Sequence, residues 1–300
     1  METTKEFLLP VPWGHIAAKA WGNPTNFPVL CIHGVLDNAG AFDRLIAQLP
    51  TNYYYVSIDL PGHGFSSHFP AGIPLDFFNY ILSIRYIIEK LKWKTFKLIG
   101  HSMGGQLGTF YSVLYPNQIQ SLVLIEGFIP KIFYNKEIIS RLTKVLNTTF
   151  EAYNQIRYNL YTHDDIMYTL KYKRANCLNN EAAEAIFKRS VTQEGKLFKY
   201  NRDIRLKDFV APIFNISQWM SILSNLNIEI LIILTTSSYS LLIQNQNTEK
   251  IEGLKNLIES FDNFKLLMVC GNHDVHNNNP ERISHEISKF LDKKYMNSKL

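Results

Sequence analysis

Cysteine is scarce: Cys31, Cys177 and Cys270 are the only three in 300 residues, widely spaced and without a C-x-x-C pair. That excludes a disulfide framework as well as the paired spacing of zinc and redox motifs. Cys31 and Cys270 fall in apolar, strand-like runs, and the cysteines are expected to be reduced core residues. Equally absent is any run of about 20 apolar residues, so no transmembrane segment is expected. Basic residues outnumber acidic ones only 31 to 26, for a net charge of +5. No window interleaves Lys and Arg with aromatics as a nucleic-acid groove does, so the excess is read as solubility charge and no nucleic-acid partner is expected. Met1 to Gly14 carries Glu2, Lys5 and Glu6 with Pro10 and Pro12, and lacks the basic flank and apolar stretch of a secretory signal. The glycosylation sequons at Asn147 and Asn215 are discounted for that reason.

What is present is a rhythm of short apolar runs and amphipathic stretches. Lys5 to Trp21 reads as two strands around a turn at Trp13-Gly14, and Pro28 to His33, Tyr53 to Asp59, Thr95 to Ile99 and Ser121 to Glu126 as buried strands. Between them, Ala41 to Leu49, Leu75 to Leu91 and Met103 to Tyr115 have helical spacing. Strands alternating with helices imply parallel βαβ units. The rhythm breaks between Gly127 and Asn225, a stretch rich in Tyr, Phe, Lys and Asn that reads as a helical insertion. It resumes with strands at Ile228 to Leu234 and Phe264 to Cys270 and a helix from Pro280 to Asp292.

Gly100-His101-Ser102-Met103-Gly104 sits where an apolar strand must turn abruptly into a helix. The G-x-S-x-G spacing has a steric cause: the serine is forced into a strained turn, and small residues two positions to either side let strand and helix pass closely. The hydroxyl then stands above the carboxyl edge of the sheet, where loops converge in an open parallel sheet. Three further loops at such edges carry His33-Gly34-Val35-Leu36-Asp37-Asn38, Asp59-Leu60-Pro61-Gly62-His63-Gly64 and Gly271-Asn272-His273.

The order and spacing of these loops, over nearly the full length, resemble the α/β-hydrolase superfamily. More narrowly, His33-Gly34-x-Leu36-Asp37-Asn38-Ala39, Phe42-Asp43-Arg44-Leu45, Asp59 to Gly64, and His273 and His276 before Asn278-Asn279-Pro280-Glu281-Arg282 resemble the serine hydrolase-like (kraken-like) family. The resemblance implies a mostly parallel eight-stranded sheet flanked by helices. Residues 1–126 and 226–300 would form the core, and 127–225 an inserted helical cap. It implies no metal and no organic cofactor.

It also implies a catalytic triad. Ser102 is a weak nucleophile at its own pKa and needs a base within hydrogen-bond reach. His273 is the candidate, since it follows the final strand and precedes Pro280 by seven residues, the family's separation; His276, three residues on, is the rival. His33 and His63 read as loop residues whose rings bond the backbone, and His101 as a neighbour in the elbow with no implied proton role. The orienting carboxylate usually follows the seventh strand, but there the chain has Thr235-Thr236-Ser237-Ser238. The alternative position is the end of the sixth strand, occupied by Glu126, about 4.8 Å in strand spacing from Ser102. The backbone N–H groups of Val35 and Met103 are the implied oxyanion donors, with Gly34 leaving room for the backbone to approach. Asp59 to Gly64 reads as a structural turn.

Phe128, Ile129, Phe133, Tyr134, Tyr158, Tyr161 and Trp219 could line an apolar pocket, or simply pack the cap onto itself. Ser298-Lys299-Leu300 matches the S-K-L peroxisomal address, with an import receptor as partner and the cytoplasm as the alternative location. The expected activity is hydrolysis of an ester or thioester with an apolar portion. Ser102 argues against the aspartate-nucleophile relatives, the haloalkane dehalogenases and epoxide hydrolases. A serine acyltransferase and a non-catalytic binding protein on the same scaffold remain alternatives.

Overall fold

The structure, a computed structural model, describes residues 5–128, 135–154, 158–174, 177–209, 214, 216–238, 256, 258 and 260–293. Its centre is an eight-stranded sheet in the order β1-β2-β4-β3-β5-β6-β9-β10. β1 (Lys5–Val11), β2 (Gly14–Trp21) and β4 (Tyr53–Ile58) are joined antiparallel; from β4 onward, β3 (Phe27–Ile32), β5 (Phe96–His101), β6 (Ile119–Ile125), β9 (Glu229–Thr235) and β10 (Phe264–Val269) run parallel.

The central strands are apolar throughout because each of their faces meets a separate core. Successive residues of a strand point to opposite sides. Leu30, Ile32, Leu98, Leu122, Leu124, Ile230 and Ile232 therefore pack on one side with the helices α2 (Phe77–Leu91), α3 (Met103–Leu114) and α7 (Ile216–Leu223). Val29, Cys31, Ile99, Val123, Ile125, Leu231 and Ile233 pack on the other with α1 (Asp43–Ile46), Val275 of α8 (Val275–Asn278) and α9 (Ser284–Asp292). Each fully buried aliphatic side chain contributes about 1.5–3 kcal/mol relative to an exposed one. α2 starts at Phe77 because the Asp76 carboxylate accepts from the Phe78 amide, an N-cap worth about 1 kcal/mol. It stops where Lys92 turns left-handed at φ 57°.

Between β6 and β9 the described residues form α4 (Asn135–Asn154), α5 (His163–Tyr168) with a π-helical turn over Thr169–Lys173, α6 (Asn180–Ser190), a hairpin of β7 (Val191–Glu194) and β8 (Leu197–Tyr200), and α7. The hairpin corrects the all-helical expectation. Gln193 and Thr192 face solvent while Val191 and Phe198 pack with α5 and α6, so its apolar content is too thin to read as strand. Two joints fix α6 against the sheet. Buried Arg189 bonds the fully buried Asp59 carboxylate through Nε and Nη2, the latter at 2.8 Å. Asn38 Nδ2 donates to the Ile186 carbonyl at 2.9 Å. Asp59 also accepts from the Ala39 and Phe65 amides, which makes its loop a structural turn as expected.

Other expectations need correction. Ala41 to Leu49 is a 3₁₀ turn at Ala39–Phe42 followed by the single turn of α1. The last helix divides into a 3₁₀ turn at Pro280–Arg282 and α9. Cys31 is buried, but Cys177 and Cys270 are exposed; Cys270 lies just past β10, an edge strand covered less completely than the strands inside it. Phe128 and Trp219 are core residues, Trp219 against Phe110 and Phe128 against Phe264. Ile129, Phe133, Tyr134 and Ser298-Lys299-Leu300 lie outside the described residues. No described helix is long and apolar enough to cross a membrane.

Candidate active site

Ser102 joins the end of β5 to the start of α3 with φ 50° and ψ −119°, a conformation an L residue adopts only under constraint. The constraint is the passage of strand beside helix. A Cβ on Gly104 would stand 2.0 Å from the Ile32 carbonyl oxygen, and one on Gly100 would stand 2.6 Å from the Gly104 backbone. The Ser102 amide bonds the Ile125 carbonyl at 2.9 Å, which ties the elbow to the end of β6.

The next residue along β6, Glu126, is also left-handed, at φ 55°, and its amide bonds the Ile233 carbonyl at 2.9 Å. This kink turns a buried carboxylate toward the loop after β10. Glu126 Oε2 lies 3.1 Å from His273 Nδ1, and its carboxylate also accepts from the Ser238 hydroxyl and from the Thr235 amide. Burial raises the Glu126 carboxyl, but the bonds from His273, Ser238 and Thr235 outweigh it and hold the group below its ordinary value. The end of the seventh strand of the main sheet supplies an amide, and the turn just past it a hydroxyl, that bind the acid.

His273 is half-buried, and its carbonyl accepts from His101 Nε2 at 2.9 Å, with the two rings 4.8 Å apart. The residue beside Ser102 therefore holds the backbone of His273. Among the described residues the Ser102 hydroxyl makes no hydrogen bond to His273. His276 is elsewhere: fully buried between Phe42 and His101, with neither ring nitrogen bonded. Burial and neighbouring His101 push its pKa well below the ordinary value.

Met103 opens α3, where the first amides have no intrahelical acceptor. Val35 follows Gly34, where a Cβ would meet the Ser102 Cβ at 3.0 Å. Its loop is pinned by two histidines. His33 Nδ1 donates to the Gly34 carbonyl and its Nε2 accepts from the Leu60 amide at 3.0 Å; His63 Nε2 accepts from the Leu36 amide at 3.2 Å while its Nδ1 donates to the Pro61 carbonyl. An accepting Nε2 requires the neutral ring, and burial agrees. It lowers His33 to about 4 and His63 to about 3.

A buried charge cluster adjoins the site. Arg174 bonds Asp37 Oδ1 at 2.7 Å and stands 3.3 Å from Asp274 Oδ1; Asp37 Oδ2 in turn lies 3.5 Å from His101 Nδ1. Burial opposes the imidazolium of His101, but Asp37, Asp274 and the His273 carbonyl raise its pKa overall. Asp37, His101 and Asp274 offer possible metal-ligand atoms within 4.8 Å of one another, yet the positive charge between the carboxylates is already supplied by Arg174. The sequence signalled Asp37 through its motif, but a lone arginine in a polar stretch carries no signal. A cavity of about 450 Å³ opens over His273 and Val35, with Leu36, Leu170 and Tyr200 among its walls.

An open parallel sheet with a serine elbow, and a histidine and glutamate paired beside it, defines an α/β hydrolase. The α/β-hydrolase fold family matches residues 28–280, and the chain belongs to it. It is 33% identical to the serine hydrolase-like protein of Danio rerio over 95% of this chain and 88% of that one, and 33% identical to serine hydrolase-like protein 2 of Homo sapiens over 95% and 93%. Among solved structures it is similar to the hypothetical protein PA1622 from Pseudomonas aeruginosa, with TM-score 0.83, 23% identity, and 98% of this chain and 100% of that one covered. A thioesterase domain from the curacin biosynthetic pathway gives TM-score 0.76 at 21% identity, covering 95% and 99%.

Proposed function

We propose that the chain is a serine hydrolase that cleaves an ester or thioester with an apolar portion. The observation that carries this reading is the 3.1 Å pairing of His273 Nδ1 with the buried Glu126 carboxylate, beside the strained elbow of Ser102.

In this reading Ser102 Oγ attacks the acyl carbon as its proton passes to His273 Nε2. The carbonyl π pair moves to oxygen, where the amides of Val35 and Met103 receive it, each such donor typically worth about 2.7–4 kcal/mol. Glu126 remains ionised and stabilises the imidazolium. Collapse breaks the acyl–oxygen or acyl–sulfur bond, His273 returns its proton to the leaving group, and water repeats the sequence to release the acid and restore Ser102. Residues 127–225 act as the cap, with Leu170 and Tyr200 over the reacting groups.

Labelling with a fluorophosphonate, followed by peptide mapping, tests the assignment. Modification at Ser102, together with turnover of p-nitrophenyl butyrate that Ser102→Ala abolishes, is the expected result. An unlabelled, inactive but folded chain would return the scaffold to a binding role.

A further inference from the structure

We infer, building on the hydrolase reading, that the substrate's leaving group bears a phosphate held by Arg202 and Lys199. The cavity over His273 adjoins a second of about 720 Å³, and Gly64, Tyr200 and Arg202 line both. Arg202 is therefore a wall of the cavity over His273 and of the larger one beside it.

The charges of these walls do not balance. Asp203 is saturated by bidentate Arg205, with His68 3.5 Å away, and Asp37 by Arg174. Those are the acidic residues of the two linings. Glu194, outside both linings, accepts from the Tyr158 hydroxyl at 3.2 Å. Lys173, Lys199 and Arg202 have no carboxylate partner among the described residues. Each instead lies over an aromatic ring: Lys173 5.6 Å from Tyr168, Lys199 3.9 Å from Tyr158, and Arg202 4.5 Å from Tyr200.

Arg202 is exposed, and no described carboxylate occupies its N–H groups, which can grip a phosphate in bidentate fashion. Unpaired cations lining a cleft also raise the local concentration of anionic ligands. A neutral ester gains nothing from such a lining. A phosphorylated leaving group would bind through it and would carry its acyl bond toward His273.

The test compares matched substrates of the intact chain: octanoyl-coenzyme A against the octanoyl N-acetylcysteamine thioester, and octanoylglycerol phosphate against octanoylglycerol. The phosphate-bearing member of at least one pair should show kcat/KM at least tenfold higher, mostly through KM, and the pair that responds identifies the phosphate's source. Arg202→Gln and Lys199→Gln should pull that ratio toward one, as should high salt. Equal kcat/KM within both pairs, or variants that slow both members alike, would overturn the inference. Turnover of p-nitrophenyl octanoate alongside that result leaves the hydrolase reading standing and fells this one alone. Calorimetry on Ser102→Ala supplies a readout independent of turnover: salt-sensitive binding of octanoyl-coenzyme A or octanoylglycerol phosphate, weakened by Arg202→Gln, is expected, and no binding of either would count against it.

Discussion

Arg174, from the segment between β6 and β9, reaches the loop after β3 and donates to Asp37 Oδ1 at 2.7 Å, with the Asp37 side chain only 2% exposed. Its other nitrogen stands 3.3 Å from the equally buried Asp274, the neighbour of His273. One guanidinium thus bridges two buried carboxylates that approach the site from separate loops. Removing it leaves two buried carboxylates with only His101, 3.5 Å from Asp37 Oδ2, beside them, and breaking a buried ion pair typically costs about 3–5 kcal/mol. Arg174→Met should lower the urea-unfolding free energy by that order, and adding Asp37→Asn should recover part of it. An unfolding midpoint unchanged in the single variant would show that the cluster is not holding the loops together.

The strain at Ser102 gives a second prediction. A residue held in a sparsely populated backbone region costs of order 1–3 kcal/mol. Ser102→Ala keeps that cost and loses the hydroxyl, so it should be inactive with nearly wild-type stability. Ser102→Gly should be inactive and more stable than Ser102→Ala by about 1 kcal/mol, because glycine reaches the φ of 50° freely while giving back some unfolded-state entropy. Thermal unfolding of the pair measures the difference. A glycine variant less stable than the alanine one would mean the elbow carries no releasable strain.

The parallel sheet, its order of loops, and the elbow were legible because each rests on local sequence: apolar runs set by two-sided burial, and glycines set by backbone contact. The hairpin of β7 and β8 was not, since only one of its eight strand residues is fully buried, which leaves no period-two pattern. Glu126 was legible as the carboxylate ending β6, with no acid after β9; its left-handed backbone and its bonds to Ser238 and Thr235 were not, because they depend on strands far apart in the chain. The choice between His273 and His276 turned on spacing alone. The structure separates them by environment, one ring against a carboxylate and the other fully enclosed with both nitrogens unbonded.

Glu126→Gln tests the acid and carries a pH signature. The substitution keeps the shape but removes the charge facing the imidazolium, and loss of such a charge in a triad lowers kcat by about 10⁴. Because the folded carboxyl sits below its ordinary 4.5, the unfolded chain binds more protons in acid. Its stabilising contribution is complete above about pH 4.5 and is withdrawn as pH falls through the depressed folded value. The stability gap between wild type and Glu126→Gln should therefore hold above about pH 5 and shrink as pH falls from there toward pH 3. A gap that stays constant across that range would mean the bonds from His273, Ser238 and Thr235 do not favour the ionised form.

His33 and His63 predict a second acid transition at higher pH, with the sign set by the same rule. Both folded pKa values lie below the ordinary 6.5, at about 4 and about 3, so the unfolded chain takes up protons first. Their contribution is whole above 6.5 and is lost as pH falls toward those values. For His33 the loss is on the order of 3 kcal/mol. Protonating either Nε2 removes the acceptor for the Leu60 or Leu36 amide, and Leu36 follows Val35 directly. The loop bearing the proposed oxyanion donor should loosen before the sheet does. Hydrogen exchange should show Leu36 and Leu60 losing protection between about pH 6 and pH 4, while the β5 and β6 amides stay protected. His33→Asn should flatten the dependence of stability on pH in that window. Protection that falls at all these amides together would show that the two rings report only global unfolding.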